Sequence, residues 1–87
     1  MRYDISMTNT QLQKQVLDFR IALGKTQFQF AILLNAGIAT VHRYERTRSP
    51  KGKVLVQLRK LALKTNLPTH AAIFQKAFED EFGVQIV

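Results

Sequence analysis

Apolar residues recur along this chain at intervals of three and four, and no stretch shows sustained alternation of apolar and polar positions. That periodicity predicts an all-α domain of five helices. The first is expected from about Thr10 to Leu23, with Leu12, Val16, Phe19 and Leu23 on one stripe, Gly24 ending it, and Thr8, Asn9 or Thr10 capping its start. The second opens at Thr26, whose hydroxyl can accept from a free backbone N–H while Gln29 reaches back to form a capping box. Phe30, Ala31 and Leu34 then face the core.

Asn35, Ala36 and Gly37 predict a sharp break, because Asn and Gly tolerate positive φ. The third helix runs from Ile38 to about Arg46. Ser49, Pro50 and Gly52 mark a loop, after which Val54, Leu58 and Leu61 repeat at helical spacing through a fourth helix stopped by Asn66 and Pro68. Thr69 is a cap candidate for the fifth, where Phe74, Phe78 and Phe82 recur every four residues as core or dimer interface before Gly83. The tail Val84 to Val87 is β-prone but too short to stand alone. It is expected to fray, with pairing to the Met1 to Met7 arm or to a second subunit as the alternative.

Eighty-seven residues fit a single domain, here a core at 10–82 with terminal arms at 1–9 and 83–87. The absence of cysteine excludes a disulfide framework and thiolate metal sites. Met1 to Met7 hold no apolar run of the length a signal peptide needs, so a soluble, cytoplasmic protein is expected.

Charge changes the picture by where it lies. Of the net +7, the segment 46–64 supplies Arg46, Arg48, Lys51, Lys53, Arg59, Lys60 and Lys64 with no acid at all. A concentrated positive field favours a polyanion, since each neutralised phosphate releases condensed counterions, although a solvated helix face gives the same composition. An anionic membrane fits less well, because no helix joins a basic face to a large exposed apolar one.

Two short helices joined by a tight turn, the first opening Thr26-Gln27 and the second ending Arg43-Tyr44-Glu45-Arg46, resemble the lambda repressor and Cro-like (XRE) family. Arg20 with Gly24, Ala31 with Leu34, and Thr40-Val41 complete a resemblance that covers roughly Leu17 to Leu61. It implies a five-helix lambda-repressor-like fold with a helix-turn-helix at helices 2 and 3, the third helix entering the DNA major groove. Carried over by position, Ile38, Ala39, His42 and Arg43 face the bases, and Thr40 lies close to the backbone. Gln27 resembles the family residue that bonds a phosphate, and Arg46, Arg48, Lys51 and Lys53 grip the flanking backbone. Glu45 is the only acid between residues 19 and 64, and the resemblance implies that it pairs with Arg20, a structural pair because a half-buried charge needs a partner.

This chain departs from the family at two places. Gly37, Ile38 and Ala39 stand where polar readers are common, so direct readout there rests on thymine methyls, with hydrogen bonds left to His42 and Arg43. Phe28, Ile32 and Leu33 occupy positions that are usually polar. Phe28 and Ile32 lie one turn apart and call for cover by an arm, the fifth helix or another subunit; the chain's own termini are the expected cover. Tyr44 is read as a core cover with its hydroxyl at the surface, and His70 as a surface residue at a helix start.

The expected function is sequence-specific DNA binding by a homodimeric transcriptional regulator, a repressor or autorepressor on a palindromic operator. The alternative is an antitoxin or adaptor whose face around Phe28 and Ile32 binds a protein, with DNA secondary. An enzyme fits least. The only serines are Ser6 and Ser49, the four glycines form no phosphate loop, and neither metal nor cofactor is implied.

Overall fold

A computed structural model of the chain describes residues 8–83. Those residues form five α-helices and no strand: α1 (Asn9–Leu23), α2 (Gln27–Leu34), α3 (Ile38–Arg46), α4 (Lys53–Lys64) and α5 (Pro68–Phe82). The expected pairing or fraying of the tail and of the Met1 to Met7 arm lies outside the described residues.

Local sequence accounts for the helix ends. Thr8 caps α1 in a reciprocal box with Gln11, and Thr26 caps α2 in the same way with Gln29. Each box satisfies two backbone donors that a helix start otherwise leaves free. Asn35 ends α2 in the left-handed region (φ 54°), which Asn tolerates. Gly37, expected to use the same freedom, instead adopts an extended φ of −83° as the N-cap of α3, with no side-chain cap bond. The sharp turn is therefore made by Asn35 alone. Expectation and structure also differ at α5: the helix starts at Pro68 with Leu67 in the cap position, so Thr69 lies inside the first turn. Proline suits that place because the N–H it lacks has no helical partner there.

One core joins all five helices. Phe19 of α1 is fully buried at its centre, in edge contact with Phe30 of α2 (ring centroids 5.8 Å apart) and Phe74 of α5 (5.3 Å). Burying such a ring stabilises the fold by about 1.5–3 kcal/mol relative to leaving it in water, and edge contacts add to that. α4 packs along α5, α1 crosses α3, and α2 rests on α3 and α4.

The apolar stripe of α4 is rotated from the expected one: Leu55, Leu58 and Ala62 are buried, while Val54 and Leu61 pack at the margin. The Phe row of α5 grades from buried Phe74 through partly buried Phe78 to half-exposed Phe82. His70, expected at the surface, is half-buried with its ring 5.3 Å from that of Phe19.

The loop between α3 and α4 is docked onto the core. Ser49 is buried and donates its hydroxyl to the Asn9 carbonyl at 2.8 Å, and Pro50 beside it is fully buried. Gly52 then takes φ 60° and ψ −127°, a conformation open in practice only to glycine. Its N–H donates to Glu81 of α5 at 2.8 Å, which fixes where α4 begins.

Candidate nucleic-acid interface

α3 carries an outward face of mixed polar, basic and apolar residues. Nine residues make two and a half turns, so one side of the helix can be anchored while the other stays free. Val41 and Glu45, four residues apart, are buried, and Tyr44 beside them packs against the core. The opposite side presents Ile38, Ala39, His42, Arg43 and Arg46, all exposed. Thr40 sits half-buried at the edge of that face, with its hydroxyl 3.4 Å from Arg43 Nη2. Ile38 is 50% exposed in the first turn, an apolar side chain left in water beside polar neighbours.

What anchors α3 is a cluster of polar groups. Arg20 of α1 meets Glu45 with two nitrogens, Nε donating to Oε2 at 2.7 Å and Nη2 to Oε1 at 3.2 Å. The remaining guanidinium nitrogen, Nη1, donates to the Lys25 carbonyl at 2.9 Å, in the turn between α1 and α2. Gln27, the first residue of α2, supplies a third donor to the carboxylate, Nε2 to Oε1 at 3.0 Å. Glu45 lies in the last turn of α3, where the helix dipole disfavours an acid, so its place is a tertiary one. The start of α2, whose dipole has the opposite sense, helps hold the carboxylate.

Exposed cations follow this face in the chain. Arg46 and Arg48 are exposed at the end of α3 and just beyond it, and Lys51 and Lys53 are exposed before and at the start of α4. Glu45 is the only acid from residue 19 to 78, and Arg20 compensates it. No exposed carboxylate therefore lies between Asp18 and Glu79. Lys51 has acidic surroundings, since it lines a groove of about 260 Å³ together with Asn9, Ser49, Asp80 and Glu81.

Of the residues singled out in sequence, Ile38, Ala39, His42, Arg43 and Arg46 share one exposed face, and Arg20, Gln27 and Glu45 share one buried cluster. Lys51 and Lys53 flank Gly52 at the start of α4. The role of Ser49 in holding the loop was not legible, because a serine in a Ser-Pro loop carries no mark of burial. The Gln27 to Glu45 bond was likewise missed: the resemblance directed Gln27 outward, and its only sequence signal was a long polar side chain at the helix start.

Phe28 and Ile32 are 62% and 63% exposed on the outer side of α2, and α5 does not cover them. Cover by the chain's termini lies outside the described residues. Among the described residues no group of three or more His, Asp or Glu side chains is placed to hold a metal, and no helix is long and apolar enough to cross a membrane.

The chain matches no protein-family model, and no curated protein or solved structure is significantly similar to it.

Proposed function

We propose that this chain is a sequence-specific DNA-binding transcriptional regulator of lambda-repressor-like architecture, in which α2 and α3 form a helix-turn-helix and α3 enters the major groove. One observation carries the reading: α3 is held by Val41 and Glu45 on one side and offers Ile38, Ala39, His42 and Arg43 on the other, in a stretch of chain from residue 19 to 78 whose only acid is the buried Glu45. A major groove about 12 Å wide admits a helix and presents a distinct donor and acceptor pattern for each base pair. Arg43 suits guanine O6 and N7, and Ile38 and Ala39 suit thymine methyls. Thr40, Arg46, Arg48, Lys51, Lys53 and the start of α2 at Gln27 contact phosphates and set register. The regulator acts as a homodimer on a palindrome whose half-sites lie about 34 Å apart, repressing by occlusion, its own promoter included. The reading needs no catalytic step, cofactor or metal.

Selection from a pool of random duplexes tests it. Enrichment of a short motif, arranged as an inverted repeat, is the expected outcome, and a pool that stays random after several rounds would refute the proposal.

A second reading has its own observation. The exposed pair Phe28 and Ile32 gives α2 an apolar face that DNA contact does not require. In this reading the chain is an antitoxin or adaptor that binds a protein through that face. Substituting both by serine separates the two, since it abolishes partner capture in the second and leaves motif binding intact in the first.

A further inference from the structure

The carboxylate of Glu45 takes donors from three directions, and the one that bears on recognition is Gln27. Arg20 alone already neutralises the charge and occupies both oxygens, so a third donor is not needed for electrostatic compensation. What Gln27 adds is direction. Its Nε2 ties the first turn of α2 to the last turn of α3 across 3.0 Å, and Glu45 is nine-tenths buried where the bond is made. The two helices are joined at their other ends by the turn at Asn35 to Gly37, and at the open end Arg20 also bridges Glu45 to the Lys25 carbonyl just before α2, leaving Gln27 as the bond made from α2 itself. α2 and α3 are thus fastened at both ends, covalently through the turn and by a charge-assisted hydrogen bond at the open end. Apolar contact alone allows helices to slide and rotate, whereas a bond to a fixed carboxylate sets one angle.

The same bond limits Gln27 as a phosphate ligand. One of its two amide protons is committed to Glu45, and a phosphate on the other brings a second anion against a carboxylate already in place. Backbone N–H groups of the first turn of α2 remain the better phosphate donors, because helix starts leave them without intrahelical partners.

We infer that Gln27 is a positioning residue for base recognition: through Glu45 it sets the angle at which α3 is presented, so that it governs discrimination between sequences more than affinity for the DNA backbone. The inference rests on the DNA-binding reading above and deepens it. A misplacement of α3 by about 1 Å breaks hydrogen bonds to base edges, which tolerate only a few tenths of an ångström, while long lysine and arginine side chains follow phosphates.

The test compares Gln27→Met, similar in length but without a donor, with the unaltered chain on two duplexes of equal length, the selected motif and a random sequence. Affinity for the motif is expected to fall about tenfold, the scale of one hydrogen bond to a charged group, with binding to random sequence changed less than twofold. In the absence of DNA, the backbone amide resonances of Ile38 to Arg46 are expected to move. Equal losses on both duplexes would identify a phosphate contact and overturn the inference, as would unchanged discrimination. Gln27→Lys, which keeps a donor within reach of Glu45, guards against a fold that fails for other reasons. Its α3 amides are expected to stay near those of the unaltered chain, and shifts as large as those of the methionine variant count against the clamp. Failure of the DNA reading itself looks different: no motif is enriched for the unaltered chain, and the α3 amides still respond to Gln27→Met.

Discussion

Arg20 and Glu45 stand twenty-five residues apart in sequence and meet through two hydrogen bonds, the shorter of 2.7 Å, with the carboxylate side chain only 2% exposed. Such a pair gains little over an apolar pair of similar shape, because both ions lose water on folding. Removing one partner is costly, since the other remains desolvated and unpaired. Arg20→Ala is expected to destabilise the domain by roughly 2–4 kcal/mol, because it strands the buried Glu45 carboxylate, and Glu45→Ala by less, because the Arg20 left behind keeps 17% of its side-chain exposure and some hydration. The double variant should cost clearly less than the sum. Urea unfolding of the four proteins measures this directly, and additive losses would mean that the two residues act independently.

His70 offers the opposite case, a polar group whose removal helps. Its Nδ1 is buried without a hydrogen-bond partner, while the ring lies 5.3 Å from Phe19 at a tilt of 34°. An unsatisfied buried nitrogen costs about 1–3 kcal/mol, and the ring contact does not depend on it. His70→Phe keeps the stacking and deletes the nitrogen. It is expected to stabilise by about 1 kcal/mol, which for a domain of this size raises the melting temperature by about 4–8 °C. A lowered midpoint in a calorimetric scan would mean that the nitrogen finds a partner in solution.

His70 also illustrates what the sequence could and could not convey. Helix content and the residues at the centre of the core were legible, because Leu12, Val16, Phe19, Phe30, Ala31 and Leu34 follow helical spacing and the Thr26–Gln29 capping box marks a helix start. Burial of His70 was not, since it is decided by Phe19, fifty-one residues away, and by the α5 start moving back to Pro68. The rotated stripe of α4 has a similar cause. Leu55 and Ala62 are selected over Val54 and Leu61 by the surfaces of α5 and α2 that pack on α4, which no local pattern encodes. For the candidate site, the outward residues of α3 were implied by the family resemblance, and Ile38, Ala39, His42 and Arg43 are exposed. The bond from Gln27 to Glu45 depends on how α2 and α3 cross, a tertiary fact.

The DNA-binding reading distinguishes two kinds of cation. Arg46, Arg48, Lys51 and Lys53, if each neutralises one phosphate, give a slope of log affinity against log salt of about −3.6 per protomer, so raising salt from 50 to 200 mM weakens binding roughly a hundredfold for each protomer and roughly ten-thousandfold for the dimer. Lys53→Ala is expected to reduce that slope by about one and to weaken all duplexes alike. Arg43→Ala should lower affinity for the selected motif by roughly 5- to 150-fold and narrow the gap to random DNA, the loss expected of one base-edge contact. Mobility-shift titrations at several salt concentrations resolve both. Equal effects of the two substitutions on random sequence would take Arg43 out of base recognition.

Gly37 allows stability and DNA affinity to be driven in opposite directions. It occupies the N-cap of α3 in an extended conformation that any residue adopts, it makes no side-chain cap bond, and a Cβ there meets nothing within 4 Å. Gly37→Ser and Gly37→Asp each place an oxygen where it can accept from the exposed backbone donors of the first turn, and each restricts the unfolded chain. Both are expected to stabilise the domain by about 0.5–1 kcal/mol, the aspartate slightly more because its charge complements the helix dipole. On DNA the two must part. The start of α3 is the end that meets the groove in the proposed complex, and a carboxylate there faces phosphates that the neutral serine does not repel. Gly37→Asp should therefore melt higher and bind DNA at least tenfold more weakly, with Gly37→Ser melting higher and binding within a fewfold of the unaltered chain. Were the aspartate variant to bind as tightly as the serine variant at low salt, the start of α3 would lie away from the phosphates, and the proposed docking of this helix would have to be abandoned.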